Sequence, residues 1–470
     1  MALVAWLIDV CIESITEWRL NLAHLHLHRT GIEDSAYTRW AFALPSFQAY
    51  LLWVVFTAVL LLATVVLIDF LAPIAAGAGV EHVRSILTGY DVPGYLDAKT
   101  LVAKIIGVTL VQGAGLAVGR DGPFVHISCC LANQMLKLPI FKDIRENRAL
   151  TKQVIGAACA AGVASTFGAP VGGVLFSIET STAVLHTSDY WMAFYCAVCG
   201  EVVFRLLAYF GVARAGAIAL YPTSFDASPY SSIDIPLFTL LSGICGFFGG
   251  VFVRLILSAR DARLNILAHA EAQISLAQQA DTQSSSTWNE RILCVVRILL
   301  RPLFYTLMVA IVSSSIDWVS GEFMRRSLYQ SLEDFLTEGR MTPDVHEGTP
   351  LDDSVHSSDW GTPSFIFNLI MFIFVKGFLI LIALSLPVPA GWFLPLSAIG
   401  LAIGRLFGEI CFAAGGPAFS PGVYALVGQV SYLLLLFFAQ RAPLKITALL
   451  LTGRVCRRSH WRRVYCLDYL

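Results

Sequence analysis

Charge is what this chain has least of. Only 14% of its 470 residues are Asp, Glu, Lys or Arg, where soluble domains carry about 25%; 56% are hydrophobic and the mean hydropathy is +0.69. That deficit excludes a water-soluble globule. The few charges nearly cancel, to a net of -1, so the overall balance favours neither nucleic acid nor an acidic partner. A basic n-region is missing as well. Residues 1–8 run apolar into Asp9, Glu13 and Glu17, so no cleavable signal sequence is read, and the chain reads as beginning partway through a helix. No Ser/His/Asp or metal-ligand constellation stands near a polar stretch, which argues against an enzyme and leaves no cofactor or metal to assign. The one CxxC, Cys196 and Cys199, lies in an apolar segment without a second pair or nearby histidines, and reads as membrane packing. His24, His26 and His28 alternate with leucine, a spacing that does not put all three on one helix face; they read as an interfacial segment.

What is present in quantity is long apolar runs: residues 40–73, 101–118, 154–178, 191–212, 236–257, 292–316, 365–386 and 392–414. Most approach the roughly 20 residues that a helix needs to cross hydrocarbon, where every backbone polar group must find an internal partner. The expected fold class is an all-α polytopic membrane protein, with shorter re-entrant segments between full spans. Lys and Arg cluster at 137–152, 254–263 and 454–463, and topology stays open without the spans. Two polar stretches interrupt the pattern. Residues 258–291 read as an amphipathic helix followed by a loop at 281–287. Residues 317–363 are acidic, carry Pro343, Pro350 and Pro363, and read as a surface loop.

One internal echo stands out. Lys104 lies 15 positions before Gly119, which opens Gly-Arg-Asp-Gly-Pro; Lys376 lies 15 positions before Gly391, which opens Gly-Trp-Phe-Leu-Pro. Duplicated halves meeting at a midplane site are a recurring transporter plan. Gly and Pro let a helix break and restart, and the new N-terminus offers unpaired N–H groups and the positive end of the helix dipole to an anion. Asp121 sits among those groups. A carboxylate there can occupy the anion's place and must leave, or be protonated, before an anion passes. The competing reading is a loop ion pair of Arg120 with Asp121 at the membrane surface. Residues 113–119 are similar to a dinucleotide loop, but the third glycine is one place late and no strand-helix-strand context surrounds it.

Three segments carry a family resemblance: Gly-Arg-Asp-Gly-Pro-Phe-Val-His-Ile (119–127), Gly-Gly-Val-Leu-Phe-Ser-Ile-Glu (172–179) and Leu-Pro-Val-Pro-Ala-Gly-Trp-Phe-Leu-Pro (386–395). They resemble the signature segments of the CLC family of chloride channels and chloride/proton exchangers, in that family's order, over about residues 7–429. The resemblance implies an inverted-repeat bundle with broken and re-entrant helices. Its expected parts are an N-terminal partial helix and interfacial segment (1–40), a first repeat (41–213), a linker (214–234), a second repeat (235–429) and a divergent tail (430–470). It implies an integral multi-pass protein embedded in membrane lipid, a homodimer with one anion pathway per subunit, and a voltage-gated chloride channel. The anion would be held by helix N-termini at 77–81, 119–123 and 391–395, through Ala78, Gly79, Gly119, Arg120, Gly122, Pro123, Gly391, Trp392, Phe393 and Leu394, with Asp121 as gate.

The departures from the family pattern also carry expectations. Asp121 stands where the family has glutamate, about one C–C bond, roughly 1.5 Å, shorter. Ala78 replaces the usual serine and lacks its hydroxyl; Glu81 replaces a proline, and His82 stands where a carboxylate is usual. Thr180 follows Glu179 where exchangers carry an internal proton-accepting glutamate, and threonine does not titrate near neutral pH. That favours passive conduction over exchange, with a chloride/proton antiporter as the alternative. The family's pore tyrosine is not carried over onto Tyr432, Tyr465 or Tyr469, and neither the nucleotide-sensing cytoplasmic (CBS) domains nor any other nucleotide-binding domain is read. A truncated or regulatory subunit that does not conduct is the other alternative.

Overall fold

The computed structural model of the chain describes residues 1–28, 46–90, 92–181, 187–209, 232, 234–279, 302–336, 360, 364–413 and 420–441. The first half comprises α1 (Ala2–His28), α2 (Ser46–Leu71), α3 (Val80–Thr88), α4 (Ala98–Gly113), α5 (Asp121–Leu136), α6 (Lys142–Glu146), α7 (Arg148–Phe167), α8 (Pro170–Ser181) and α9 (Thr187–Tyr209). The second comprises α10 (Asp234–Gln279), α11 (Pro302–Val319), α12 (Glu322–Arg325), α13 (Leu328–Leu336), α14 (Phe365–Ala383), α15 (Phe393–Ala413) and α16 (Pro421–Arg441).

Six of these helices are long and apolar enough to cross a membrane, and α5 with the segment through Glu146, bent by 89°, is either a broken span or a re-entrant loop. Their composition explains both faces. On α2, Leu61, Val65 and Ile68 are buried, while Val55, Val59, Val66 and Phe70 stay exposed, an arrangement that suits lipid rather than water. The apolar run at 154–178 is two helices, broken at Gly168 before Pro170 opens α8. In the second half, α15 and α16 pack almost backbone to backbone: a Cβ on Gly404 would press on Ala425, and one on Gly400 would meet Tyr432 at 2.8 Å. Small residues permit this close approach, as in other membrane bundles. Tyr432 therefore serves as a packing residue of the core.

The first polar stretch is helical as read, and the second departs from expectation. Residues 258–279 continue α10 without a break, while the loop at 281–287 lies outside the described residues. The start of the acidic stretch is not a surface loop. Asp317 closes α11 from inside, and α13 buries Leu328, Leu332, Phe335 and Leu336, the i, i+4, i+7, i+8 pattern of an inward helix face. Asp334, buried on α13, accepts from Arg326 at 2.9 Å and from the Trp360 indole at 3.0 Å. Among the described residues, the charges of Asp317 and Asp334 are met by internal partners. Residues 337–359 and 442–470 lie outside the described residues, as do the side chains of His24, His26 and His28. The expected boundaries of the two repeats and linker remain sequence-level divisions.

Candidate functional site

The two echoing motifs meet. Gly119 and Gly391 form an isolated antiparallel bridge, each N–H donating to the other's carbonyl at 2.8 Å. The bridge fixes the residues that follow it: Asp121 opens α5, and Phe393 opens α15. The Asp121 carboxylate, 6% exposed, reaches across and accepts the Phe393 N–H at 3.3 Å through Oδ2. It thus caps the positive end of a 21-residue helix from another part of the chain, the position an anion would take.

Gly391 makes this contact possible. A Cβ there would stand 2.8 Å from Asp121 Cγ and 2.9 Å from Oδ2. Gly122 packs on the third expected segment, since its Cβ would lie 2.8 Å from that of Ala78 and 3.3 Å from the Ala78 carbonyl oxygen. The segments at 77–81, 119–123 and 391–395, distant in sequence, are therefore brought together.

The Ala78 segment is held by anchors that sequence reasoning did not assign. Lys104, fully buried, donates to the carbonyls of Ala75 at 2.9 Å and Gly77 at 2.6 Å. The Gly77 N–H donates to Val388 at 3.1 Å. Gly79, with φ of 92°, precedes α3, and its carbonyl accepts the Tyr95 hydroxyl at 2.7 Å. The matching lysine of the echo, Lys376, lies in a π-helical turn of α14 and donates to Asp317 at 3.0 Å and to the Met324 carbonyl at 3.1 Å. Lys104 thus anchors the turn before Ala78, while Lys376 ties α14 to α11 and α12. The available signal was a lysine in an apolar run, which must be paired when buried.

Arg120 does not pair with Asp121. Its guanidinium salt-bridges Asp9 of α1 and lies over the rings of Phe124 and Tyr329, 5.3 Å and 4.9 Å from their centroids. The surface ion-pair reading is thereby corrected, and the Arg120 side chain points to α1 rather than to the groove. Pro123 continues the first turn of α5. Phe393 is wedged edge-on against Phe167 and Phe176, at 5.0 Å and 5.8 Å, which holds the N-terminus of α15 beneath the carboxylate. Leu394 follows in the core, while Trp392 lines a cavity of about 220 Å³ that also reaches Ala78, Gly79, His82, Arg260 and Arg263. Glu81 lines the same cavity, so a carboxylate and two guanidinium groups share its wall, with Arg263 held by the Ser385 carbonyl and the Tyr305 ring. Asp121 is not among its lining residues. Thr180 lies on α8, with its side chain outside the described residues. Cys196 and Cys199 are free thiols on α9, and no group of three or more metal-binding side chains occurs among the described residues.

The family profile described as voltage gated chloride channel matches residues 58–453. The chain belongs to the CLC family. Among curated CLC proteins it is 32% identical to chloride channel protein clh-3 of Caenorhabditis elegans, over 82% of this chain and 39% of the relative. With chloride channel protein 2 of Homo sapiens it shares 31% identity, over 92% of this chain and 45% of the relative. The chain spans about two fifths of the length of these relatives. Its fold matches the crystal structure of a eukaryotic CLC transporter with a TM-score of 0.65 at 26% identity, covering 92% of this chain and 62% of that one. A slow cyanobacterial Cl-/H+ antiporter matches with a TM-score of 0.63 at 15% identity, over 92% and 85% of the two chains. This CLC chain is an integral, multi-pass membrane protein of the family's all-helical fold.

Proposed function

We propose that this CLC chain provides the anion pathway of a chloride channel in which Asp121 is the gate. The observation that carries the reading is the Asp121 carboxylate seated on the Phe393 N–H at the start of α15. A helix N-terminus attracts chloride and carboxylate by the same dipole and the same donors, so the two compete for one place. With the carboxylate seated, the path between the glycine bridge and Ala78 is closed; when the carboxylate leaves or takes a proton, the site is free. The cavity beside Ala78, lined by Arg260 and Arg263 as well as Glu81, is the approach we assign to the competing anion.

Passive conduction is preferred to exchange because Thr180 stands in place of a titratable group and cannot relay a proton. The fold is shared with a solved Cl-/H+ antiporter, so coupled exchange is the reading to test against. We take the working unit to be a homodimer with one pathway per subunit, as the resemblance implies.

The test is chloride efflux from liposomes holding the purified chain, with proton movement recorded in parallel. Chloride flux without protons supports the channel. Stoichiometric proton movement overturns it in favour of exchange, and absence of flux from a folded dimer favours a regulatory subunit.

A further inference from the structure

Behind the site, α5 and α7 cross so closely that a Cβ on Gly162 would stand 2.9 Å from the Phe124 carbonyl oxygen and 3.0 Å from Val125 Cα. One turn along that crossing, the thiols of Cys129 and Cys159 face each other with their sulfurs 3.3 Å apart. That is nearer than packed carbon atoms stand, about 3.5–4.0 Å. Both residues are buried, at 0% and 1% exposure, in a cluster with Val83, Tyr95, Val125, Ile155 and Val163, and both are free thiols. Cys130 turns away, its thiol directed at the Tyr95 carbonyl 3.7 Å off.

We propose that Cys129 and Cys159 are a redox modification site, a dithiol that a small neutral peroxide converts reversibly to a disulfide between α5 and α7. Closing the sulfurs to about 2.05 Å asks each to move about 0.6 Å, within the reach of a small side-chain rotation. One thiol sulfur attacks a peroxide oxygen as its proton passes to the departing oxygen, breaking the O–O bond to give a sulfenic acid and one water. The second thiol then displaces the sulfenic oxygen as water, so that two thiols and one hydrogen peroxide give one disulfide and two waters. A peroxide is small and uncharged enough to enter the apolar interior, and the neighbouring thiol intercepts the sulfenic acid before further oxidation. The helices joined are the one that begins with Asp121 and the one whose last residue, Phe167, backs Phe393. The bond therefore ties the gate's helix to the support of the site it closes, and oxidation slows chloride movement.

The experiment treats the purified full chain in liposomes with hydrogen peroxide, blocks remaining thiols under denaturation, and reads proteolytic peptides by mass spectrometry, with chloride efflux measured on the same vesicles. The expected result is a linked peptide pair containing Cys129 and Cys159 that dithiothreitol separates. Efflux should fall several-fold and recover on reduction, and peroxide should leave the efflux of Cys129→Ser and Cys159→Ala unchanged. Failure to find the linked pair, or its replacement by sulfinic acid, overturns the site. A linked pair with unaltered efflux overturns its control of the pathway, and equal peroxide sensitivity in both variants assigns that sensitivity elsewhere. Because the link is read by mass, it is tested even if the chloride reading fails.

Discussion

Replacing Gly391 by alanine should unseat the gate without touching its carboxylate. The added methyl would stand 2.8 Å from Asp121 Cγ and 2.9 Å from Oδ2, and Asp121 has no room to keep its 3.3 Å bond to the Phe393 N–H. A hydrogen bond to a charged group contributes about 1.5–3 kcal/mol. Losing it from the closed state alone shifts the open-to-closed ratio by about 10- to 150-fold at 1.36 kcal/mol per decade. Planar-bilayer recordings of the Gly391→Ala chain should therefore show a large rise in open probability at voltages that close the parent. The control is the same substitution in an Asp121→Ala background, where there is no carboxylate to displace and Gly391→Ala should change little. If it shifts gating equally in both backgrounds, or in neither, the methyl acts on the bridge or the pore and the steric argument fails.

Three further outcomes follow from the same geometry. Ala78→Ser should restore a hydroxyl beside Gly122 and raise chloride affinity by about tenfold or more, from about 1.5–3 kcal/mol for one hydrogen bond to a charged partner; unchanged anion permeability ratios would show that backbone groups alone set them. Lys104→Met should release the carbonyls of Ala75 and Gly77 and loosen the segment that carries Ala78, so calorimetric chloride affinity should fall about tenfold while Lys376→Met affects it less. Equal losses would mean that both lysines act on the fold at large. Asp9→Asn leaves the nearly buried Arg120 guanidinium without its carboxylate and should lower stability by up to about 3 kcal/mol; thermal unfolding in detergent, unmoved by the change, would refute a structural role for that pair.

The features legible in the sequence were those whose physics is local. Scarcity of charge gave the membrane, and a carboxylate among turn-forming small residues gave the gate candidate. The lysine-to-glycine offset, repeated, pointed to two related segments before any contact was known, and the Gly119–Gly391 bridge joins the two motifs. What the residues could not reveal depends on distant partners. Arg120 looked available to Asp121 because they are neighbours in the chain, yet its partner is Asp9 on another helix. Tyr95 has no local mark of its role in holding Gly79. The acidic stretch after Asp317 was read as solvated because composition counts charges without their partners; Asp317 and Asp334 spend theirs on Lys376, Arg326 and Trp360. The amphipathic spacing of Leu328, Leu332 and Phe335 was the available signal there, masked by the surrounding polarity.

The central claim is that the Asp121 carboxylate and chloride compete for the N-terminus of α15. Macroscopic chloride currents through the Asp121→Ala chain, stepped over a wide voltage range beside the parent, test it most directly. The account predicts conduction that no longer closes with voltage and no longer depends on external chloride to open. Voltage-dependent closing retained unchanged in that variant would contradict it.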